Sequence, residues 1–304
     1  MMRSSGGCCT VKYRIIAGRA SATVMAAAAL LLVPPAARSA EQPPSLIVIG
    51  KTVNYRQSDA RIPALLNYHY FAEVFQASKG EGGSADLVGP HGDVISFHAE
   101  GRILNAGGDH EYRSLEDLNA HVPNGRYTIH YSQPGGVPIV ATVGVNATAA
   151  AMADPVRLTL LQDGHEAKPS AIDPTRALVI QWSPFVKGRA DPRGISDDLI
   201  FVHVGDCRGR VIARTPAPFS GGAALTFRSI SYTVRENTLA PGSVYQVSVE
   251  QAPVVTSRNA GVPTLATYPA TTFLDFETTG AGGASCPSPP YRMDHGQSDR
   301  RRAP

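Results

Sequence analysis

The stretch LAPGSVYQVSV, residues 239–249, decides which fold the sequence predicts. It opens with a turn signal, Pro241-Gly242, and continues with apolar residues at every second position, Tyr245, Val247 and Val249. Successive side chains of a β-strand point to opposite faces of a sheet, so a period of two indicates a strand with one buried face. The stretch therefore predicts a sharp corner that leads into a core strand.

Other short strand-like runs surround this one, and turn residues separate them. Gly and Pro are frequent, at 29 and 24 residues, and long helical periodicities are missing. Short runs with turn signals between them are typical of an immunoglobulin-like β-sandwich. Together with the first stretch, seven strands are predicted in this half, at 158–161, 177–182, 199–204, 211–214, 224–229, 244–250 and 271–276.

The corner before Tyr245 resembles the corner between strands E and F of fibronectin type III modules. Leu239, the Pro-Gly pair and Tyr245 recur there at this spacing, and the resemblance covers about residues 155–278. It implies that the hydroxyl of Tyr245 bonds back to the backbone a few residues upstream. It also implies that Trp182 is the buried tryptophan of strand B.

The first half of the chain predicts a second sandwich. Ser114-Leu-Glu-Asp117 is similar to a capping box and predicts a short helix at 115–120. The run SLEDLNAHVPNGRYTI, residues 114–129, resembles immunoglobulin-like modules of secreted bacterial proteins. Strands are predicted at 45–55, 67–76, 85–88, 93–97, 126–131 and 138–145.

These patterns predict an all-β protein with two tandem sandwich domains. We expect a signal peptide at 1–39, an immunoglobulin-like sandwich at 40–146, a linker at 147–155, a fibronectin type III-like sandwich at 156–279 and a disordered tail at 280–304. The tail prediction rests on its Gly, Ser, Pro and Arg content.

The N-terminus has the three parts of a secretory signal. Basic residues precede the apolar run VMAAAALLLV at 24–33, and small residues surround a cleavage point after Ser39. The run is shorter than the ~18 residues of a membrane span, so we expect none in the mature protein. A retained anchor is the alternative. Cleavage predicts a mature chain that begins at Ala40 or Glu41 and acts in the periplasm or outside the cell.

Removal of the signal changes the sign of the net charge. Cleavage takes away five of the 28 basic residues and none of the 25 acidic ones, which leaves a net charge of −2. A nucleic-acid-binding surface needs a basic stripe, and none is visible in the sequence. We therefore expect no nucleic-acid partner.

The familiar catalytic motifs are absent from the sequence. It holds no G-x-S-x-G, H-E-x-x-H, Walker or G-x-G-x-x-G pattern, and its nine histidines lack zinc-ligand spacing. We therefore expect a non-catalytic binding or structural module without a cofactor, whose partner is a protein or a cell-surface glycan. The alternative is a hydrolase or carbohydrate-active enzyme on a sandwich scaffold.

Two cysteines remain after cleavage, Cys207 and Cys286. In an exported chain an even number of cysteines favours a disulfide. Strand C and strand G of a seven-strand sandwich run in the same direction, so both cysteines fall at one end of it. The sequence therefore predicts a bridge between them, with two free thiols as the alternative.

Two further groups of residues are candidate sites in loops. Asp191, Asp197 and Asp198 form the densest acidic cluster and predict either a calcium site or an ordinary turn. The long loops at 183–196 and 253–269 fall at the end opposite the cysteines, where the N-terminal sandwich also arrives. These loops either bind a ligand or pack against that sandwich. Their candidate ligand-binding residues are Arg189, Arg193, Arg258 and Asn259.

Overall fold

In a computed structural model, short alternating runs form strands between residues 46 and 277. The structure describes residues 43–58, 62–77, 82–107, 110–134, 136–216, 222–283, 285–286 and 293. The predicted signal peptide and most of the predicted tail lie outside the described residues. The residues that the structure describes all belong to one compact unit, Glu41–Pro304. The all-β prediction is confirmed.

The N-terminal half forms two facing layers. Strands β5, β6, β2 and β1 lie side by side in one layer, and β4, β3, β7 and β8 form the other. Alternate residues of β7, Tyr127, Ile129 and Tyr131, are buried between the layers, as the period of two requires. The elements are β1 (Leu46–Gln57), β2 (Ala64–Phe75), β3 (Ser84–Val88), β4 (Val94–Ser96), β5 (His98–Glu100), β6 (Ile103–Gly107), α1 (Leu115–His121), β7 (Gly125–Ser132) and β8 (Ile139–Val145).

The C-terminal half forms a second sandwich. Strands β10, β9, β11 and β15 make one sheet, and β13, β12, β16 and β19 lie in the other. The elements are β9 (Leu158–Gln162), β10 (His165–Glu166), β11 (Leu178–Trp182), β12 (Leu199–Asp206), β13 (Val211–Arg214), β14 (Leu225–Thr226), β15 (Ser231–Val234), β16 (Val244–Ala252), β17 (Val254–Asn259), β18 (Val262–Thr267) and β19 (Ala270–Glu277).

The two sandwiches share a sheet of 11 strands. Strand β1 changes its partner half-way: Ile47 to Gly50 pair in parallel with β18, and Val53 to Gln57 pair in parallel with β19. Pro269 separates these two partners, and its carbonyl oxygen accepts a hydrogen bond of 2.9 Å from the Val53 N–H. Strand β1 therefore continues the ladder across the interruption and joins the two halves.

Each sandwich contains a tyrosine that ties a corner to the backbone. The Tyr245 hydroxyl accepts a hydrogen bond of 2.7 Å from the Ala240 N–H. The Tyr127 hydroxyl donates one of 2.6 Å to the Pro123 carbonyl oxygen. Leu239 is buried beside the first corner, and the buried Trp182 donates its indole N–H to Ser229.

The side chain of Lys51 in β1 is fully buried. Its ammonium donates to the side-chain oxygens of Asn119, at 2.7 Å, and Asn124, at 3.0 Å, and to the Val122 carbonyl that ends α1. Burial lowers the pKa of Lys51 to about 8. Both asparagines also donate to the Ala147 carbonyl, so one network joins β1, α1 and the segment after β8.

The structure corrects several strand predictions. In the predicted strand 224–229 only β14 is extended, and β15, which the sequence did not indicate, occupies the place beside β11. The predicted loop 253–269 is largely a hairpin of β17 and β18. Strands β5 and β6 were also missed. Segment 147–155 is packed rather than free, since Ala147, Met152 and Ala153 are buried.

Candidate functional site

Of the four loop residues predicted as a ligand site, Asn259 contacts the N-terminal sandwich. The side-chain amide of Asn259 exchanges two hydrogen bonds with the backbone of Thr142 in β8, at 3.2 and 3.1 Å. The guanidinium of Arg193 donates to the Thr256 carbonyl, and that of Arg258 donates to the Gly261 carbonyl. The Arg189 N–H donates to Asp198. The contact of Asn259 favours packing of its loop against the N-terminal sandwich. The bonds of Arg193 and Arg258 stay within the C-terminal half, and that of Arg189 comes from its backbone.

Two more hydrogen-bonded contacts hold the junction. The Tyr268 hydroxyl accepts a bond of 2.7 Å from the Asn146 N–H. The amide of Gln57, at the end of β1, bonds to both backbone groups of Leu158 in β9, at 2.7 and 2.8 Å. The side-chain amide of Gln57 thus makes the two hydrogen bonds with Leu158 that a neighbouring strand's backbone would make. The junction is therefore specified by side chains as well as by the shared sheet.

The aspartates of the predicted calcium loop use their oxygens within the protein. Asp191 accepts bonds from the N–H groups of Arg193, Ile195 and Ser196 and from the hydroxyl of Thr256. Burial raises its pKa, but these four bonds outweigh that effect and lower the pKa to about 2. The carboxylate therefore closes its own loop and attaches it to β17.

The other two aspartates are engaged in the same way. Asp197 accepts bonds from the Asp191 N–H and from Arg228, and both lower its pKa. Asp198 accepts bonds from the N–H groups of Arg189 and Val254, although burial still raises its pKa. A cation at this loop would have to replace these hydrogen bonds. Among the described residues, no three His, Cys, Asp or Glu side chains are placed to hold a metal ion.

The predicted disulfide between Cys207 and Cys286 is confirmed, with 5.5 Å between the two Cα atoms. The bridge attaches the start of the tail to the turn between β12 and β13. Arg208 strengthens the attachment by donating two hydrogen bonds to the Ser285 carbonyl. Further along the tail, the Met293 N–H donates to Gln246 in β16 at 2.7 Å. Met293 therefore lies against the sheet.

A group of residues that the sequence did not single out lies on the side of the 11-stranded sheet away from the core, which we call the outer face. Directly paired residues share a face, so the register identifies its members. Leu46, Val48, Gly50, Thr52 and Asn54 of β1 lie opposite Phe75, Glu73, Phe71, His69 and Asn67 of β2. On the other side, Asn54 pairs with Thr271, Thr271 with Glu250, and Glu250 with Phe201.

Part of the outer face is an apolar cluster. Leu46, Val48 and Leu265 are buried there, beneath the partly buried Phe71, Phe75 and Val254. The ring of Phe71 lies against Gly50 so closely that a Cβ atom at residue 50 would overlap it. A glycine is therefore needed at this point of β1. The outer face is thus partly desolvated, which is unusual for the solvent side of a sandwich.

Two glutamates lie on this face, one from each sandwich. Burial raises the pKa of Glu73 in β2 to about 7, and the carboxylates of Glu250 and Glu100 contribute to the rise. Burial also raises the pKa of Glu250 in β16 to about 7, against the opposing effect of a hydrogen bond of 2.9 Å from Thr271. Carboxyls with a raised pKa occur at functional sites and also in structural networks.

A signal for the outer face was present in the sequence. Glu73 stands between Phe71 and Phe75 at positions that share a face, where a solvated strand would carry polar residues. No such signal marks Glu250, because Val244–Ala252 is an alternating strand in which Glu250 takes an outward position.

No protein-family model and no curated protein matches the chain. Among solved structures, the chain is similar to the BSP domain of a biofilm-associated protein, at 13% identity and a TM-score of 0.20, over 70% of this chain and 28% of that one. It is also similar to Tp47, the 47-kilodalton lipoprotein of Treponema pallidum, at 12% identity and a TM-score of 0.23, over 77% and 52% of the two chains.

A third similar structure contains the FN1–FN3 domains of chicken CNTN1, at 9% identity and a TM-score of 0.20, over 76% of this chain and 67% of that one. The chain spans less than a third of the biofilm-associated protein and about half of Tp47. In the described part of the chain, no helix is long and apolar enough to cross a membrane.

Proposed function

We propose that this chain is an exported, non-catalytic protein that binds or spaces a partner in the periplasm or at the cell surface. The observation that carries the proposal is the shared sheet, in which β1 of one sandwich pairs with β18 and β19 of the other. Relative movement of the sandwiches would break these ladder hydrogen bonds, so they favour a rigid body. A rigid body suits a protein that holds its partner in a fixed position.

The junction contacts support this function over ligand capture by the loops. Asn259 and Arg193, two of the candidate loop residues, use their side chains within the protein. The proposed partner is therefore a protein or a cell-surface glycan that contacts the sandwiches elsewhere. The proposal of export is supported by the disulfide, since disulfides persist in oxidising compartments.

Export is tested by N-terminal sequencing of the protein recovered from cell fractions. We expect a chain that begins at Ala40 or Glu41 in the periplasmic or extracellular fraction. A chain that begins at Met1 in the cytoplasm would contradict export.

Partner binding is tested by capture from extracts of the cell envelope, separated into protein and glycan fractions. The matched control ends after Met293, so it keeps the disulfide and loses only residues 294–304. We expect both forms to capture the same partner. If capture requires residues 294–304, the sandwiches do not bind the partner. If nothing is captured from either fraction, binding is contradicted and the protein acts only as a spacer.

The raised pKa values of Glu73 and Glu250 are the observation behind a second candidate function, a carbohydrate-active hydrolase. Glycosidases use two carboxyls, one of them kept protonated near neutral pH by a raised pKa. The test measures release of reducing ends from a panel of polysaccharides by the protein and by its E73Q and E250Q variants. Activity that both variants lose, and that the exposed control E277Q retains, would favour the enzyme. Activity that is absent, or equal in all forms, would exclude these residues as its catalysts.

A further inference from the structure

The last described residue of the tail, Met293, lies on the outer face. Its N–H donates a hydrogen bond of 2.7 Å to the side chain of Gln246 in β16, and the direct partner of Gln246 in β12 is Gly205. A Cβ atom at residue 205 would lie only 3.3 Å from the sulfur of Met293. Glycine at this position therefore leaves the room that Met293 occupies.

The tail reaches the outer face from one end of the sheet. The disulfide fixes Cys286 to Cys207, which lies two residues beyond Gly205 in the turn after β12. Seven residues after Cys286, Met293 lies against Gly205 and has moved across to β16. The tail thus passes from the end of the sheet onto its outer face, and β16 continues from there towards Glu250.

Beyond Gln246, the outer face is shielded from water. Ser248 of β16 and Phe273 of β19 are directly paired, and they are 7% and 6% exposed. Both lie on the side away from the core, where the residues of a sandwich strand are ordinarily solvated. A dry surface on this side favours contact with a further segment of protein over contact with water. We call Gln246, Ser248, Glu250 and Phe273 the outer strip.

Glu250 places an acidic group at the far end of the outer strip. Its carboxylate accepts a hydrogen bond of 2.9 Å from Thr271, and burial raises its pKa to about 7. In the ranges that the structure describes, no lysine or arginine forms an ion pair with it, and Arg56 on the same face is bonded to Asp275. A carboxylate can accept about four hydrogen bonds, so Glu250 keeps acceptor positions for an arginine.

The segment after Met293 has the charge and the length to reach Glu250. Residues 294–304 read DHGQSDRRRAP, in which two aspartates precede three consecutive arginines at 300–302. The seven residues from Met293 to the first of these arginines span up to about 23 Å when extended. The four strand residues from Gln246 to Glu250 cover only about 13 Å.

We propose that residues 294–304 dock along the outer strip of their own molecule and that the arginines at 300–302 pair with the Glu250 carboxylate. The disulfide and the Met293 contact hold the start of this segment beside the strip, so docking loses little further chain entropy. Pairing supplies the cation that a partly desolvated carboxylate lacks. The contact does not depend on what the sandwiches bind.

The first experiment identifies the carboxylate that the end of the tail contacts. In the R301K variant, with the disulfide intact, a carbodiimide joins the amine at position 301 to a carboxylate in contact with it. We expect the main cross-link outside the tail to reach Glu250, at least about fivefold above any link to Glu166, an exposed glutamate of the opposite sheet. The variant R301K/E250Q should lose this link.

Two results of the cross-linking would overturn the proposal. Links that are equally frequent at Glu250, Glu166 and the exposed Glu277 would show that the tail is free. A link between two molecules, seen as a covalent dimer, would assign the outer strip to a second copy of the chain.

The second experiment measures docking in the unsubstituted tail by its rate of cleavage with trypsin after the arginines at 300–302. In low salt this cleavage should be about fivefold slower in the unsubstituted protein than in E250Q. The difference should shrink at about 0.5 M salt, which screens the pair. E166Q, which neutralises an exposed glutamate of the opposite sheet, is the matched control and should behave like the unsubstituted protein.

Cleavage after Arg189, an exposed residue of another loop, is the internal reference in the same digests. Equal rates of tail cleavage in the unsubstituted protein and E250Q would overturn the proposal. A substitution that accelerates cleavage at Arg189 as much as in the tail would also overturn it, because the effect would then be a general loosening of the fold.

Discussion

The two sandwiches are closed by different means. The C-terminal sandwich holds itself together with its own strands and with a disulfide that links Cys207 to Cys286. The N-terminal sandwich depends on the other half, because β18 extends its sheet and Asn259 binds to β8. Within itself it relies on a buried charge, Lys51. This difference indicates that the C-terminal sandwich stabilises the N-terminal one. A substitution that destabilises the C-terminal sandwich should therefore destabilise both.

The tyrosine corners show the same contrast on a smaller scale. Both tie a turn to the strand that follows it, but the hydroxyl of Tyr127 donates its hydrogen bond and that of Tyr245 accepts one. Pro123, the partner of Tyr127, is partly buried, whereas Ala240, the partner of Tyr245, is exposed. The same corner is therefore more dependent on its tyrosine in the N-terminal sandwich.

The largest expected effect comes from removal of the disulfide. The bridge closes a loop of 79 residues, and the double variant C207S/C286S should lose about 4 kcal/mol of unfolding free energy in the chain-entropy model. Denaturant unfolding measures this loss of stability. Trp182 is the probe of the C-terminal sandwich, and hydrogen exchange in β7 is the probe of the N-terminal sandwich. Both probes should shift together. A shift of Trp182 alone would contradict the dependence of the N-terminal sandwich.

Lys51→Met should cost about 3 kcal/mol. The substitution leaves the oxygens of Asn119, Val122 and Asn124 without their hydrogen-bond donor, which destabilises the folded state. Because an ammonium no longer has to be buried, part of this loss of free energy is recovered. Thermal unfolding measures the loss. Lys187→Met is the matched control: this exposed lysine pairs with Asp154 at the surface and should change stability by less than about 0.5 kcal/mol. Equal effects of the two substitutions would refute the role assigned to Lys51.

Substitutions at the two tyrosine corners should cost less unfolding free energy, and the two costs should differ. Tyr127→Phe leaves a partly buried carbonyl unpaired and should cost about 1–2 kcal/mol. Tyr245→Phe frees the N–H of an exposed residue, which water can satisfy, and should cost about 0.5–1 kcal/mol. Chemical denaturation of the two variants gives the comparison directly. The reverse order would contradict the asymmetry between the sandwiches.

Tyr70→Phe should have the smallest effect. Among the described residues, the buried hydroxyl of Tyr70 has no hydrogen-bond partner, so its removal should leave stability unchanged or raise it by up to about 1 kcal/mol. Tyr131→Phe is the control, since that hydroxyl donates to Gln133 at 2.8 Å and its loss should destabilise the protein. A loss of more than about 1 kcal/mol for Tyr70→Phe would indicate a partner such as a bound water.

Local sequence was enough to predict the fold class, the Tyr245 stretch and the cysteine pair. Each depends on a short-range signal: a period of two, a Pro-Gly turn or an even count of cysteines. Strand β18 was missed because Pro263 interrupts its pattern, although Asn259-Ala-Gly261 is a reasonable hairpin turn and both Ala260 and Gly261 have positive φ.

Part of the outer face was beyond sequence reasoning for a different reason. Parallel pairing between β1 and β19 joins residues more than 200 positions apart, and nothing local encodes it. Glu250 stands at an outward position of an alternating strand, where sequence alone predicts contact with solvent. Lys51 was missed likewise, because a lysine in an apolar run is normally placed at the surface. The network that buries it comes from α1 and from Asn124, more than 65 residues later.

The change of partner along β1 also constrains the order in which the protein can fold. A chain is synthesised from its N-terminus, so β1 emerges more than 200 residues before its partners β18 and β19. Until they arrive, one edge of β1 has unpaired backbone groups, a state prone to pairing with other chains. The N-terminal sandwich therefore cannot be completed until β18 and β19 have been synthesised. Truncation before these strands should leave an aggregation-prone fragment rather than a folded domain.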